Sequence, residues 1–178
     1  MKQSKIAKMN FMALCCIIGL LSKKLMNPFA NIITDALRIP GGVSTGFAIM
    51  FIIIAVELVQ EKHSGSLMSF MQGILALMLG RVGSMGAFMP LAYLIPGIVI
   101  DLCYMMMKHF PFKERFMITN SLAAMSASLF ANLLVFRLSG IVLILYLSIS
   151  ALFGACYGWF GSILVERLSK VITLRRTV

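Results

Sequence analysis

The residue in this chain best placed to do chemistry is Asp101, a lone carboxylate in the apolar run from Ala87 to Met107. An ionised side chain near the centre of a membrane span costs about 2.5–3.5 kcal/mol on insertion scales, so it is kept for other helices or a water-filled site. Two readings follow. Asp101 binds a cationic or hydrogen-bond-donating substrate, or it holds helices together by pairing with Asn120, Gln72 or a hydroxyl. A second group of polar residues is expected nearer the outer surface: Arg81 and Ser84 in a glycine-rich turn, Tyr93, Asn132, Arg137 and Tyr146. Their convergence predicts a pocket between the third to sixth helices. Enzymatic constellations are missing, since no H-E-x-x-H, G-x-S-x-G or Walker pattern occurs, and His63 and His109 fall in loops. The chain is read as no enzyme, with no metal and no cofactor, so any nucleotide-driven step belongs to another polypeptide.

The elements that position these residues follow from composition. Of 178 residues, 60% are hydrophobic and 12% charged, and the mean hydropathy is +0.96. Such values predict an all-α polytopic membrane protein, because long unbroken apolar runs fit helices and not the alternating strands of a barrel. The runs fall at approximately 6–21, 43–59, 67–79, 87–107, 116–136 and 141–165, giving a bundle of six transmembrane helices in a single domain, 1–178. A formal charge of +10 raises nucleic acid as a partner, but the basic residues sit in short clusters between apolar runs, which is the pattern of membrane topology. Placing the N-terminus inside puts the clusters from Lys2 to Lys8, at Lys62, from Lys108 to Arg115 and from Arg167 to Arg176 in the cytoplasm. Lys23, Lys24, Arg38, Arg81 and Arg137 are left outside. Both termini are therefore expected to be cytoplasmic, in a multi-pass membrane protein in contact with lipid. Cys15, Cys16, Cys103 and Cys156 show no C-x-x-C spacing and read as packing residues.

The connection after the first run has a pattern of its own. Asn27 can cap a helix with Pro28 at its first position, and Phe29, Ile32, Ile33, Ala36 and Leu37 recur at helical spacing. Asn31, Asp35 and Arg38 share another face. This predicts a short amphipathic helix in the first outer loop, either an interfacial anchor or a lid that contacts ligand. Small residues also recur at four-residue spacing: Ser150, Gly154, Gly158 and Ser162 in the sixth run, Ala123, Ala127 and Ala131 in the fifth, Cys15 and Gly19 in the first. Such stripes let helix backbones approach closely, within the bundle or against a partner.

On the run Gly65-Ser66-Leu67…Gln72-Gly73-Ile74-Leu75…Leu79-Gly80…Gly83…Gly86, followed by Tyr93…Pro96-Gly97…Asp101, the chain resembles the substrate-binding S components of energy-coupling factor vitamin transporters. It is loosely similar to the branch that takes up the thiamine precursor hydroxymethylpyrimidine. The resemblance implies a protein that captures a vitamin or vitamin precursor and docks on a transmembrane coupling subunit with two ATPase subunits. Many members carry an Ala-x-x-x-Ala docking motif on the first helix, and the nearest equivalent here is Cys15-x-x-x-Gly19 with Ala13 beside it. A self-sufficient proton-coupled carrier or channel using Asp101, and a non-transport membrane scaffold, are the alternatives.

Overall fold

A computed structural model describes residues 5–37, 43–80, 86 and 88–174 of the chain. Among these residues the chain is all-helical, with α1 (Lys5–Leu37), α2 (Val43–Val59), α3 (Ser64–Met78), α4 (Met89–Met106), α5 (Phe112–Ala131) and α6 (Gly140–Leu174). A π-helical turn, Asn132–Phe136, extends α5. Four stretches are long and apolar enough to cross a membrane by length and composition: Lys8–Ala36, Met89–Met106, Phe112–Phe136 and Gly140–Ser169. The helices Val43–Val59 and Ser64–Met78 are shorter apolar helices. At 1.5 Å per residue α3 is about 22 Å long and α1 about 50 Å.

The segment expected to form a separate amphipathic helix is instead the continuation of α1. Pro28 lies inside this helix and not at the first position of a new one. A proline there removes one backbone donor, and the turns on either side persist. The hydroxyls of Ser22 and Thr34 donate to the carbonyls of Gly19 and Asn31, each one turn back along α1, at 2.9 and 3.1 Å. Leu25, Phe29 and Ile32 stay exposed, while Ala30 and Thr34 are buried. The other helices start or finish within a few residues of the expected positions, except that α6 continues nine residues past Val165.

Val43, Ala48, Met50, Ile52, Ile53, Ala55 and Val59 are spread around α2, and all are buried. An apolar helix could equally face lipid, and much of α6 is left exposed; α2 is central because other helices pack on every side of it. It packs against α1, α3, α5 and α6, and its side chains form the core with Met68, Ile100 and Phe116.

The small-residue stripe of α6 faces α5. A methyl group at Gly154 would meet Ser121 Cα at 2.8 Å and the Asn120 carbonyl at 3.0 Å, and one at Gly158 would meet Met117 Cα at 2.8 Å. Polar side chains cross the same seam. Asn120 Nδ2 donates to the carbonyls of Gly154 (2.7 Å) and Gly46 (3.2 Å), Ser121 to that of Ala151 (2.9 Å), and Ser150 to that of Ala124 (3.0 Å). The α3–α4 hairpin is as tight: a methyl at Gly97 would lie 2.6 Å from Ser69 Cβ, and one at Gly73 2.7 Å from Pro90 Cα.

Helices consecutive in sequence run antiparallel, so the bundle has two ends. One is where α1 begins and α6 finishes. All three ion pairs among the described residues lie there: Lys8–Glu61 at 2.9 Å, Lys113–Glu166 at 3.4 Å and Arg115–Glu57 at 2.9 Å.

Candidate functional site

Two cavities lie toward opposite ends of the bundle. The one at the ion-paired end has a volume of about 690 Å³ and is lined by residues of α2, α4, α5 and the α2–α3 connection, among them Glu57, Glu61, Lys62, Asp101, Tyr104 and Arg115. Its carboxylates are engaged. Arg115 Nη2 donates to both oxygens of Glu57 at 2.9 and 3.0 Å, with its guanidinium 5.1 Å from the centre of the Tyr104 ring. Glu61 accepts from Lys8. Asp101 accepts from the backbone N–H groups of Gly65 (2.9 Å) and Ser66 (2.8 Å) and from the Ser66 hydroxyl.

Those contacts give Asp101 a structural position. The residue preceding α3, His63, makes no side-chain cap, so the first free N–H groups of α3 take their acceptor from α4. A carboxylate at a helix N-terminus also meets the positive end of the helix dipole. Gly65 is required at this point, since a methyl group there would lie 2.7 Å from Asp101 Oδ1 and 3.0 Å from the Gly97 carbonyl. Of the partners expected for Asp101, the hydroxyl is the one realised; Asn120 and Gln72 bond elsewhere. Asp101 sits within the last two turns of α4, closer to the end of its helix than the midpoint its place in the apolar run implied.

The second cavity, of about 100 Å³, lies toward the other end and is lined by all six helices. Lys23 comes from α1, Thr45 and Ile49 from α2, Gln72 from α3, Tyr93 and Pro96 from α4, Ser128 from α5 and Tyr146 from α6. The close approach of Gly73 to Tyr93 Cβ, at 3.1 Å from an added methyl, fixes Tyr93 on the α3 side. Phe136 packs edge-on against Tyr146 at 6.1 Å between ring centres. Lys23 Nζ lies 3.4 Å from the Tyr93 hydroxyl and 5.5 Å from the centre of its ring, within reach of a cation–π contact.

Gln72 is the most constrained polar group in this cavity. It is fully buried, and its Nε2 faces the Cys16 carbonyl at 3.4 Å. That carbonyl can only accept, which sets the amide orientation and leaves Oε1 buried without a hydrogen-bond partner. A buried acceptor left unmade costs about 1–3 kcal/mol. Ser128, by contrast, is satisfied through Ser150 at 2.7 Å.

The structure brings together two of the expected substrate contacts, Tyr93 and Tyr146. Arg81 and Ser84 lie outside the described residues. Asn132 is buried but closes its own chain, accepting from Leu138 N–H at 2.7 Å and donating to the Leu138 carbonyl at 3.3 Å. Arg137 is exposed in a left-handed backbone conformation (φ 52°) that ends the π turn. Asn31 and Asp35 are exposed on the last turns of α1 and do not line the cavity. Of the expected docking residues, Cys15 and Gly19 are buried and Ala13 is half-buried. Gly19 faces inward: a methyl there would meet Gln72 Nε2 at 2.6 Å and the Ala48 carbonyl at 3.3 Å. The outward face of α1 is instead made of Leu14, Ile17, Ile18 and Leu21. Lys23 and Gln72 had not been expected in a binding site. Lys23 falls just past the expected end of the first helix, yet Cys16, Gly19 and Lys23 at i, i+3 and i+7 share one helical face, and that spacing is the signal that marks it.

Comparison of the chain with protein-family models, with curated proteins and with solved structures returned no match.

Proposed function

We propose that this is a multi-pass membrane protein of a bacterial plasma membrane that captures a small nutrient in the cavity between its six helices. In this reading it is the substrate-binding S component of an energy-coupling factor transporter for a vitamin or vitamin precursor. Transport is energised by a separate coupling subunit and two ATPase subunits.

The observation that carries the reading is the cavity itself, lined by residues from every helix, with a fully buried amide whose oxygen is unmatched in its wall. Binding sites are concave and largely apolar, with a few fixed polar groups. Charge supports the orientation. Lys8, Lys62, Lys108, Lys113, Arg115 and Arg167 gather at the end away from this cavity, and an excess of basic residues marks the cytoplasmic side. The cavity then lies in the outer half, where a capture subunit needs it. The contacts of Asp101 with the start of α3 favour this reading over a proton-coupled carrier, which needs that carboxylate free to titrate.

Equilibrium binding of a panel of radiolabelled vitamins and precursors to the detergent-purified protein tests the proposal. Tight binding of one compound without nucleotide is expected, with uptake into liposomes only when the coupling module is present. Flux by the protein alone, or no binding across the panel, overturns it.

A further inference from the structure

The small cavity contains a cation and no anion. Lys23 is one of its lining residues, its one hydrogen-bond contact among the described residues is the long one to the Tyr93 hydroxyl, and no Asp or Glu is among the lining residues. Among the described residues no carboxylate lies within ion-pair distance of Lys23. Lys23 is half-buried, and a cation held against an apolar wall is best matched by a group of opposite charge. The polar groups present are thus complementary to a particular kind of molecule: one with a negative charge for Lys23 and a hydrogen-bond donor for Gln72 Oε1.

Size narrows this further. At about 100 Å³ the cavity is well below the roughly 300–1,000 Å³ typical of drug-sized ligands. Tyr93 and Tyr146 offer aromatic surface beside the cation.

We infer that the ligand is a small, compact carboxylate, held by a charge-assisted hydrogen bond from Lys23 and donating a hydrogen bond to Gln72. This inference rests on the binding reading above and deepens it. An uncharged ligand such as hydroxymethylpyrimidine leaves Lys23 unmatched.

Pairs of compounds that differ in charge and hardly in shape test the inference: nicotinate against nicotinamide for the charge alone, and 4-hydroxybenzoate against 4-hydroxybenzamide for the charge together with a hydroxyl that can donate to Gln72, with octanoate as a carboxylate on a flexible chain. Binding is read by calorimetry on the detergent-purified full-length protein and on its Lys23→Met and Lys23→Arg variants. Each variant is first checked for an unchanged melting temperature without ligand. The acid of each pair is expected to bind about tenfold or more tightly than its amide, consistent with the added strength of a charged hydrogen bond. That preference is lost in Lys23→Met and kept in Lys23→Arg. Equal binding of acid and amide, or a preference that survives Lys23→Met, overturns selection by Lys23 and leaves the cavity as a binding site. Octanoate binding as tightly as nicotinate overturns the compact shape and assigns the carboxylate to a membrane fatty acid. Binding of no probe overturns the carboxylate inference alone, because the vitamin panel decides separately whether the protein captures a nutrient.

Discussion

At the end where α1 begins, the three carboxylates that line the larger cavity are all engaged: Glu57 by Arg115, Glu61 by Lys8 and Asp101 by N–H groups at the start of α3. In the smaller cavity at the other end, Lys23 has no acid and Gln72 Oε1 has no donor. The two cavities share α2, α4 and α5, and each has buried polar atoms without a partner, Tyr104 Oη and Arg115 Nε in the larger and Gln72 Oε1 in the smaller. What separates them is charge, because the carboxylates of the larger are all engaged within the chain and the cation of the smaller faces none. Groups satisfied within the chain hold a structure in place. Under the binding proposal, the unmatched cation and amide oxygen of the small cavity are the groups that a ligand would meet.

The comparison can be broken by perturbing each region and reading both stability and binding. The largest loss is expected from Gly154→Val, which forces a side chain against Ser121 Cα at 2.8 Å and the Asn120 carbonyl at 3.0 Å. Overpacking of this kind costs about 3 kcal/mol or more where backbone cannot yield, read as a large fall in the melting temperature of the purified protein. Asp101→Ala comes next, with a loss of about 2–4 kcal/mol from two backbone donors left without their acceptor. Its ligand affinity should be unchanged, because the cap and the small cavity lie toward opposite ends. A selective loss of binding in a stably folded Asp101→Ala protein would give that carboxylate the functional role instead.

Lys23→Met sharpens the contrast from the other side. Its effect on melting without ligand is expected within about 1 kcal/mol, with a selective loss of affinity for the bound acid. Glu61→Gln is the smallest change. The Glu61–Lys8 pair is exposed, with 52% of the Glu61 side chain open to solvent, and such pairs contribute about 0–1 kcal/mol. A shift in melting of only a degree or two is expected, falling further with added salt.

Much of this arrangement was legible in the sequence, for reasons that particular residues make plain. The apolar run from Val43 to Val59 gave a helix with the bounds expected, and only the structure puts it at the centre. The spacing of Ser150, Gly154, Gly158 and Ser162 announced a close approach, realised against α5. Tyr93 and Tyr146 were expected near one cavity because both fall near the starts of helices that begin at the same end of the bundle. What stayed hidden depended on contacts between distant positions. The cap of α3 comes from 35 and 36 residues away, at Asp101, and no local motif encodes it. The break expected near Leu21 and the fresh start at Asn27 misread a single helix, since a proline and two lysines suggest an end that packing against α2 does not require. That misreading hid Lys23, which seemed to lie in an outer loop. Asn132 and Arg137, polar and close in sequence to the cavity, turned out to end α5.

The central claim is that the small cavity holds a ligand. Native mass spectrometry of gently purified wild-type protein and of Ala131→Phe, which places a ring in the cavity wall at a buried alanine, tests it most directly. The account predicts a small-molecule adduct on the wild type that is absent from a folded Ala131→Phe protein. The same adduct on both proteins, or the bare mass for the wild type under conditions that retain bound lipid, would contradict it.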